Sequence, residues 1–267
     1  ETLNPTLNAI VTLVEDRVLE EAELAAKAVV RGDPLGLLHG LPVAIKDLHA
    51  TEGVVTTYGS SFYRDHVPGV DAGIVARIRS AGGIVIGKTN IPEMSIGANT
   101  INRLFGATGN PYAPALTCGG SSGGSAVAVA TGMAPLATGS DHGGSLRIPA
   151  CFSGVVGHRA TPGTVPNEGR TITQTNYSLQ GPIARNVADV GLLLATITHR
   201  DRNSRRDPMA FPLDVDAFLE PSQVDTGSLK IGVTADFGGL LVSEHVRHEF
   251  RQRVELLEQA GAEVTHL

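Results

Sequence analysis

The chain reads Cys-Gly-Gly-Ser-Ser-Gly-Gly-Ser at residues 118–125 and Gly-Ser-Asp-His-Gly-Gly-Ser-Leu-Arg at residues 139–147. Between these two glycine–serine turns, residues 122–131 are small or apolar on every side. Such a composition is typical of a helix that is buried in a larger protein. Gly132 follows as a helix stop signal. The stretch therefore predicts a buried helix framed by two turns.

The segment after this helix brings the second turn back toward the first. Residues 135–138 read Pro-Leu-Ala-Thr, which is typical of a short buried strand. A helix of ten residues rises about 15 Å and a strand of five residues about 16 Å, so their lengths match. If the strand runs back along the helix, Ser145 returns to the neighbourhood of Ser121.

A serine on a glycine-rich backbone can be a nucleophile beside exposed N–H groups, provided that a base takes its proton. The chain offers four lysines as candidate bases, which are Lys27, Lys46, Lys88 and Lys230. Lys46 lies in the apolar run of residues 40–47, which is typical of a buried strand. Burial there would lower the pKa of Lys46 and allow it to act as a base.

These residues closely resemble the amidase signature family, serine hydrolases of carboxamides that use two serines and a lysine. The resemblance implies that Ser145 is the nucleophile, that Ser121 is the bridging serine and that Lys46 is the base. It also implies a cis peptide bond between Gly120 and Ser121. The resemblance covers roughly residues 5–267, and it includes further matching segments at residues 87–90, 109–111, 147–150, 154–157 and 181–185.

Helices and strands are predicted to alternate along the chain. Helices are expected at residues 14–30, from a cap at Asp71 to Gly82, and at 243–260, with strands at 84–86, 230–235 and 262–267. This alternation predicts an α/β layered fold, and the resemblance implies a mixed central sheet covered by helices on both faces. The polar run of residues 199–208 is expected to be a solvated loop.

The domain organisation is also an expectation from the resemblance. Residues 1–267 are expected to be the N-terminal part of a single amidase-signature domain, because members of the family start earlier and continue well beyond this point. The chain is therefore expected to be truncated at both ends relative to the family.

Composition limits the partners and the compartment. The 267-residue chain carries a net charge of −6, which gives no reason to expect nucleic acid or an anionic membrane surface. The two cysteines, Cys118 and Cys151, are too few for a disulfide framework, so a reducing compartment is favoured. With neither a signal peptide nor an 18-residue apolar run, we expect a cytoplasmic protein with a small-molecule amide substrate. A homodimer is left open.

Three motifs suggest other chemistries, and their context argues against each of them. Residues 82–89 satisfy the spacing of a phosphate-binding loop, but a helix and a strand occupy the places where a strand and a loop are needed. Residues 120–124 fit a nucleophile elbow without the strand that should precede it. His245 and His248 resemble a zinc-binding pair in the wrong order. We therefore expect no cofactor and no metal.

The second turn is predicted to bind the oxyanion through backbone N–H groups. The donors would be those of His142, Gly143 and Gly144, with Ser145 as a further candidate. His142 stands where the family usually has a small or apolar residue, and it could line the pocket or point away from it. Other departures from the family are Cys118 in place of proline and the segment 157–161, and none of them removes a catalytic atom.

Three functions are compatible with these residues. The first is an amidase that hydrolyses a carboxamide C–N bond, other than a peptide bond, through an acyl-enzyme on Ser145. The alternative is the glutaminase subunit of a tRNA-dependent amidotransferase, whose members usually have glutamine at the position of Ile148. The third is a non-catalytic binding module. The sequence leaves open whether an amide substrate is aliphatic, aryl, cyclic or peptide.

Overall fold

A six-stranded mixed sheet organises the larger of two units in this protein. The computed structural model describes residues 2–169, 176–198, 203–220 and 223–267, and the chain divides into Glu1–Pro221 and Ser222–Leu267. The strands of the first unit are β1 (Ile10–Leu13), β2 (Pro42–Lys46), β3 (Ile84–Thr89), β4 (Ile101–Asn102), β5 (Gly106–Ala107), β6 (Leu136–Asp141), β7 (Val156–Gly157) and β8 (Leu179–Ala184).

The sheet has the order β1-β3-β2-β6-β8-β7, and β4 and β5 form a separate antiparallel pair. Its centre is parallel, because β2 pairs in parallel with both β3 and β6. The outer pairs, β1 with β3, β6 with β8 and β7 with β8, are antiparallel. The prediction of a mixed sheet is therefore confirmed.

Helices cover both faces of this sheet, as predicted. The helices of the first unit are α1 (Asn4–Leu7), α2 (Glu15–Arg31), α3 (Gly73–Ser80), α4 (Gly123–Ala130), α5 (Arg147–Ser153) and α6 (Val187–Thr198). Val43 and Ile45 of β2 pack in one buried apolar cluster with side chains of α3 and α6. Ala44, between them, packs in a second cluster with Val129 of α4. Side chains alternate along a strand, so the two clusters lie on opposite faces.

Helix α4 is the buried helix that the sequence predicts. Its N-terminal turn lies against the end of β3, where the N–H of Gly124 donates to the carbonyl of Asn90. A Cβ at Gly124 would lie only 2.6 Å from the carbonyl oxygen of Ala9, so the position requires glycine. Strand β6 returns the chain to the start of α4, where the N–H of Ser122 donates to the carbonyl of Ser145 at 3.2 Å. The predicted return of Ser145 is confirmed.

Some expectations from the sequence are wrong. Helix α3 is capped by Ala72 rather than Asp71, whose carboxylate instead accepts from the N–H of Glu52 and pairs with Arg79. Strand β8 and helix α6 were not predicted. The polar run of residues 199–208 is solvated only in part: Arg205, Arg206 and Pro208 are exposed as expected, but Ser204 and Asp207 are buried and Asn203–Arg206 form a 3₁₀ helix. Residues 199–202 lie outside the described ranges.

The second unit contains β9 (Lys230–Val233), α7 (Glu244–Gln259) and β10 (Glu263–His266). The two strands pair in parallel, and the Ser243 hydroxyl caps α7 by accepting from the N–H of Val246. All three elements match the sequence prediction. Across the described ranges of the whole chain, none of the helices combines the length and the apolar character that a membrane span needs.

Candidate active site

Lys46 is the last residue of β2, and its side chain is fully buried. Alternation along the strand places it on the Ala44 face, toward the N-terminus of α4. Its Nζ lies 2.8 Å from Ser121 Oγ, 2.9 Å from Ser122 Oγ and 2.8 Å from Ser140 Oγ. The structure thus joins the predicted base directly to the predicted bridging serine.

Burial controls the protonation of this lysine. Loss of hydration lowers the pKa of Lys46 to about 7, while the negative charge of Asp141 opposes that shift. An amine with this pKa is about half neutral at pH 7, whereas an ordinary lysine is almost fully charged. Lys46 can therefore accept a proton at neutral pH.

The three hydroxyl groups around Lys46 are not equivalent. The hydroxyl of Ser122 donates to the carbonyl of Ser140 at 3.2 Å, so its hydrogen points away from the amine. A neutral amine donates two hydrogen bonds and accepts one, and an ammonium donates three. The neutral form of Lys46 therefore takes its third hydrogen bond from Ser121 or Ser140.

Ser121 and Ser145 lie at the two turns that flank α4 and β6. The peptide bond between Gly120 and Ser121 is cis, as the family resemblance implies, and Ser121 is buried. Ser145 is half-buried, just before α5. Within the described part of the chain, its hydroxyl makes no hydrogen bond, so it is free to approach a substrate.

Asp141 holds the second turn in shape. Its carboxylate accepts from the N–H groups of Gly144 and Leu146, at 2.8 and 3.2 Å, and forms ion pairs with Arg147 and Arg159 at 3.0 Å. Burial alone would raise the pKa of Asp141, but the hydrogen bonds from Arg147 and the two N–H groups lower it to about 2. Asp141 is consequently ionised at neutral pH.

This arrangement corrects one expectation. The N–H of Gly144 is committed to Asp141 and is not available to an oxyanion in this structure. The N–H groups of His142, Gly143 and Ser145 have no hydrogen-bond partner among the residues that the structure describes. Gly144 is required for another reason, since its φ of +122° disfavours side chains.

The turn borders a cavity of about 880 Å³. Ser140, which contacts Lys46, and His142 both line it, and His142 is exposed, with its ring centroid 5.7 Å from that of Tyr177. His142 therefore lines this cavity rather than pointing away from it. Tyr58, Tyr63 and His66 also line this cavity.

A second buried lysine lies close to the site, although its sequence context predicts no role for it. Lys88, in β3, donates to the carbonyl of His49 at 2.5 Å and to the hydroxyls of Thr51 and Thr56 at 2.9 Å. Its Nζ lies 3.8 Å from the carboxylate of Asp47. The Gly-Lys-Thr motif is thus part of a strand and not of a phosphate-binding loop.

Three further residues of the candidate site were not predicted from the sequence. Ser122, Ser140 and Asp141 stand within the two quoted turns, but nothing in the sequence distinguishes them from ordinary turn residues. In the described ranges, no group of three or more His, Cys, Asp or Glu side chains is arranged to hold a metal ion. His248 instead contacts Gln252 at 3.1 Å on α7.

Known proteins resemble the whole chain. The family model named Amidase matches residues 1–267. A glutamyl-tRNA(Gln) amidotransferase subunit from Alkaliphilus metalliredigens is 37% identical over 262 residues, which are 98% of this chain and 53% of that protein. An acylamidase from Rhodococcus erythropolis is 37% identical over 265 residues, which are 99% of this chain and 55% of that protein.

A solved structure also resembles the whole chain. A bacterial aryl acylamidase belonging to the amidase signature enzymes superposes with a TM-score of 0.89 at 30% identity, covering 100% of this chain and 55% of that one. The chain therefore spans about half the length of the curated relatives that it matches.

Proposed function

The chain belongs to the amidase signature family, and we propose that it hydrolyses the C–N bond of a small carboxamide through an acyl-enzyme on Ser145. The observation that carries the proposal is the contact of 2.8 Å between Lys46 Nζ and Ser121 Oγ, together with a pKa of Lys46 near 7. A base that is neutral at physiological pH and touches the bridging serine is what acyl transfer requires.

The acylation step uses all three residues. Ser145 Oγ attacks the carbonyl carbon of the amide, its proton passes to Ser121 Oγ, and the proton of Ser121 passes to Lys46 Nζ. The C–N bond then breaks as the relay runs in reverse and protonates the leaving nitrogen. The products are an ester on Ser145 and ammonia or an amine.

The negative charge that develops on the carbonyl oxygen needs fixed donors. The N–H groups of His142, Gly143 and Ser145 are available for that role, whereas the N–H of Gly144 already donates to Asp141. The Asp141 carboxylate accepts hydrogen bonds from the N–H groups of Gly144 and Leu146 in the same turn, and these bonds fix the positions of the donors. Water completes the cycle by attacking the ester, with Ser121 and Lys46 taking its proton, and releases a carboxylate.

A fluorophosphonate probe tests this proposal on the complete protein. The probe should label the wild type, and digestion followed by mass spectrometry should place the adduct on the peptide that contains Ser145. Ser145→Ala should abolish labelling, whereas Ser80→Ala, which changes an exposed serine at the end of α3, should not. Labelling that survives Ser145→Ala would refute the assignment of the nucleophile.

A second candidate is the glutaminase subunit of a tRNA-dependent amidotransferase. The relative from Alkaliphilus metalliredigens is named as an amidotransferase subunit, at the same 37% identity as the acylamidase. Against this candidate stands Ile148, whose apolar side chain packs against Gly144 beside the proposed oxyanion donors. Glutamine hydrolysis that develops only when partner subunits are added would favour this candidate. Turnover of simple amides by the isolated protein would favour the free-standing amidase.

Three further features of the protein remain predictions from the sequence. They are a cytoplasmic location, residues 1–267 as the N-terminal part of a single amidase-signature domain, and a homodimer as one open oligomeric state. None of them affects the chemistry proposed for Ser145.

A further inference from the structure

We propose that Tyr58, Tyr63 and His66 form a subsite that binds an uncharged aromatic ring of the amide substrate. The proposal rests on the proposed amidase function and names the substrate class of the same site. All three side chains line the cavity that Ser140 and His142 also line. Ser140 Oγ lies 2.8 Å from Lys46 Nζ, and His142 belongs to the turn that carries Ser145, so an aromatic group held in this cavity lies beside the proposed reaction site.

The three rings already make the contacts that aromatic groups prefer. The rings of Tyr58 and Tyr63 meet edge to face at 5.1 Å between centroids, and those of Tyr63 and His66 meet at 5.7 Å. Tyr58 and His66 are stacked at 6.0 Å. Edge-to-face and offset stacked pairs are favourable at centroid distances of about 4.5–7 Å. A fourth ring from a substrate could extend this cluster with the same geometry.

The loop that carries the rings is held in place before any substrate binds. The N–H of Thr56 donates to the carbonyl of His66 at 2.9 Å, and the N–H of Met94 donates to that of Tyr58 at 2.7 Å. The hydroxyl of Ser60 donates to Glu93 at 2.6 Å. Because this loop is already ordered, binding of a substrate costs little conformational entropy.

Hydrogen bonds also connect the aromatic wall, which is formed by Tyr58, Tyr63 and His66, to the segment that carries the proposed base. Asp47 directly follows Lys46 in the chain, and its carboxylate accepts from the N–H of Thr57 at 3.1 Å and from its hydroxyl at 2.5 Å. Thr57 precedes Tyr58. The position of the aromatic wall is therefore set relative to Lys46, as a subsite for a substrate of defined shape requires.

Charge argues for a neutral ring rather than a cation. Aromatic clusters also bind ammonium groups, and an unpaired carboxylate beside the rings would favour such a cation. The carboxylates among the described lining residues are Asp71 and Glu168, and each forms an ion pair with an arginine, Arg79 and Arg77 respectively. Val70 and Met94 add apolar surface to the lining. The carboxylates of the described lining are therefore neutralised, and the cationic side chain of Arg206 also lines the cavity, so the charges there do not favour a cation.

Two matched pairs of amides test the proposal on the complete protein. The first compares 3-phenylpropanamide with 3-cyclohexylpropanamide, and the second compares N-benzylacetamide with N-(cyclohexylmethyl)acetamide. The cyclohexyl ring is the more hydrophobic member, so hydrophobic burial alone does not favour phenyl. We expect kcat/KM to favour phenyl by about three- to tenfold in one pair, since aromatic contacts exceed area burial by that much. The pair that shows the preference identifies the acyl or the amine side.

Variants assign the preference to the wall. Tyr63 is 39% exposed, and Tyr63→Ala should bring the ratio of kcat/KM for the phenyl amide to that for the cyclohexyl amide close to one. Tyr63→Phe keeps the ring and should recover the preference. Phe62→Ala is the matched control, because Phe62 is 93% exposed on the same helical turn and lies outside the cavity lining.

The outcomes separate this proposal from the proposed function. Turnover with equal rates in both pairs, or a preference that survives Tyr63→Ala, overturns the aromatic subsite alone. A faster reaction of 3-(trimethylammonio)propanamide than of the phenyl amide overturns the choice of a neutral ring. If the protein neither turns over an amide nor reacts with a fluorophosphonate, the proposed function fails. In that case calorimetric binding of the same phenyl and cyclohexyl pairs to the Ser145→Ala protein still tests the subsite.

Discussion

The protonation of the two lysines at this site depends on how much hydration each amine loses on burial. Lys46 and Lys88 are both fully buried, and burial lowers both pKa values, to about 7 and about 8. Their partners differ, because Lys46 contacts only serine hydroxyls through its amine, whereas Lys88 also faces the carboxylate of Asp47. Lys46 is thus suited to move a proton, and Lys88 is suited to hold one.

The first prediction concerns the proton on Lys46. The base form of Lys46 increases as pH rises through its pKa near 7, so kcat/KM should climb with pH below 7 and level off above about 8. Lys46→Ala should remove this limb and lower the rate by about 10²–10⁴-fold. Lys46→Arg should be no better, because a guanidinium keeps its proton.

A full pH profile of amide hydrolysis measures this effect. Lys27→Arg, an exposed change on α2, is the control and should leave the profile unaltered. Near-normal rate and pH dependence in Lys46→Arg would show that another group, such as His142, is the base.

The second prediction uses the charge of Asp141. This carboxylate raises the pKa of Lys46, so Asp141→Asn should lower that pKa and shift the ascending limb of kcat/KM to lower pH. The rate should also fall, since the turn loses its ion pairs with Arg147 and Arg159. Loss of structure alone would lower the rate without moving the limb. The pH midpoint of the ascending limb, compared between Asp141→Asn and the exposed Asp16→Asn control, distinguishes a lowered pKa of Lys46 from loss of structure.

At the scale of elements, the site is built where neighbouring strands end. β2 ends in Lys46, and β3, beside it, carries Lys88, which binds the loop that follows β2 at His49, Thr51 and Thr56. β6 ends in Asp141, which shapes the turn before α5. Each strand thus supplies a residue to the chemistry or a residue that orders the adjoining loop.

The third prediction tests this loop. Lys88→Met keeps the length of the side chain but removes its cation and leaves Asp47 buried without it, which should lower the free energy of unfolding by about 3 kcal/mol. Urea denaturation measures the loss. Lys27→Met is the control, since its exposed ion pair with Glu23 should contribute less than about 1 kcal/mol. Adding Asp47→Asn to Lys88→Met should restore part of the stability, and an unchanged stability in Lys88→Met would contradict the role assigned to the loop.

At the scale of the whole molecule, the sequence predicted what depends on local pattern. The buried helix α4, the strand that ends in Lys46 and the return of Ser145 follow from periodicity and length. Strand β8 was missed because Gly181 and Pro182 resemble a turn, and its place is fixed by antiparallel pairing with β6. The contact of Lys46 with Ser140 joins residues 94 positions apart, which no local pattern reveals.

Local pattern also predicted the α-helix and both strands of the second unit. Correct local structure does not imply an independent fold. Among the described residues of Ser222–Leu267, the buried apolar side chains are Val233, Val254 and Ala262. The unit is shorter than domains of about 60 residues, which are already marginal, and an isolated two-stranded sheet is marginal as well.

The last prediction is therefore that the fragment 222–267 does not fold on its own. Its circular dichroism should show at most partial helix from α7, and its amide hydrogens should exchange without protection. Val254→Asp serves as the matched test, because a charge at this position would destroy any core but should leave an unfolded fragment unchanged. A cooperative thermal transition in the fragment that Val254→Asp abolishes would show instead that these few side chains suffice for an independent fold.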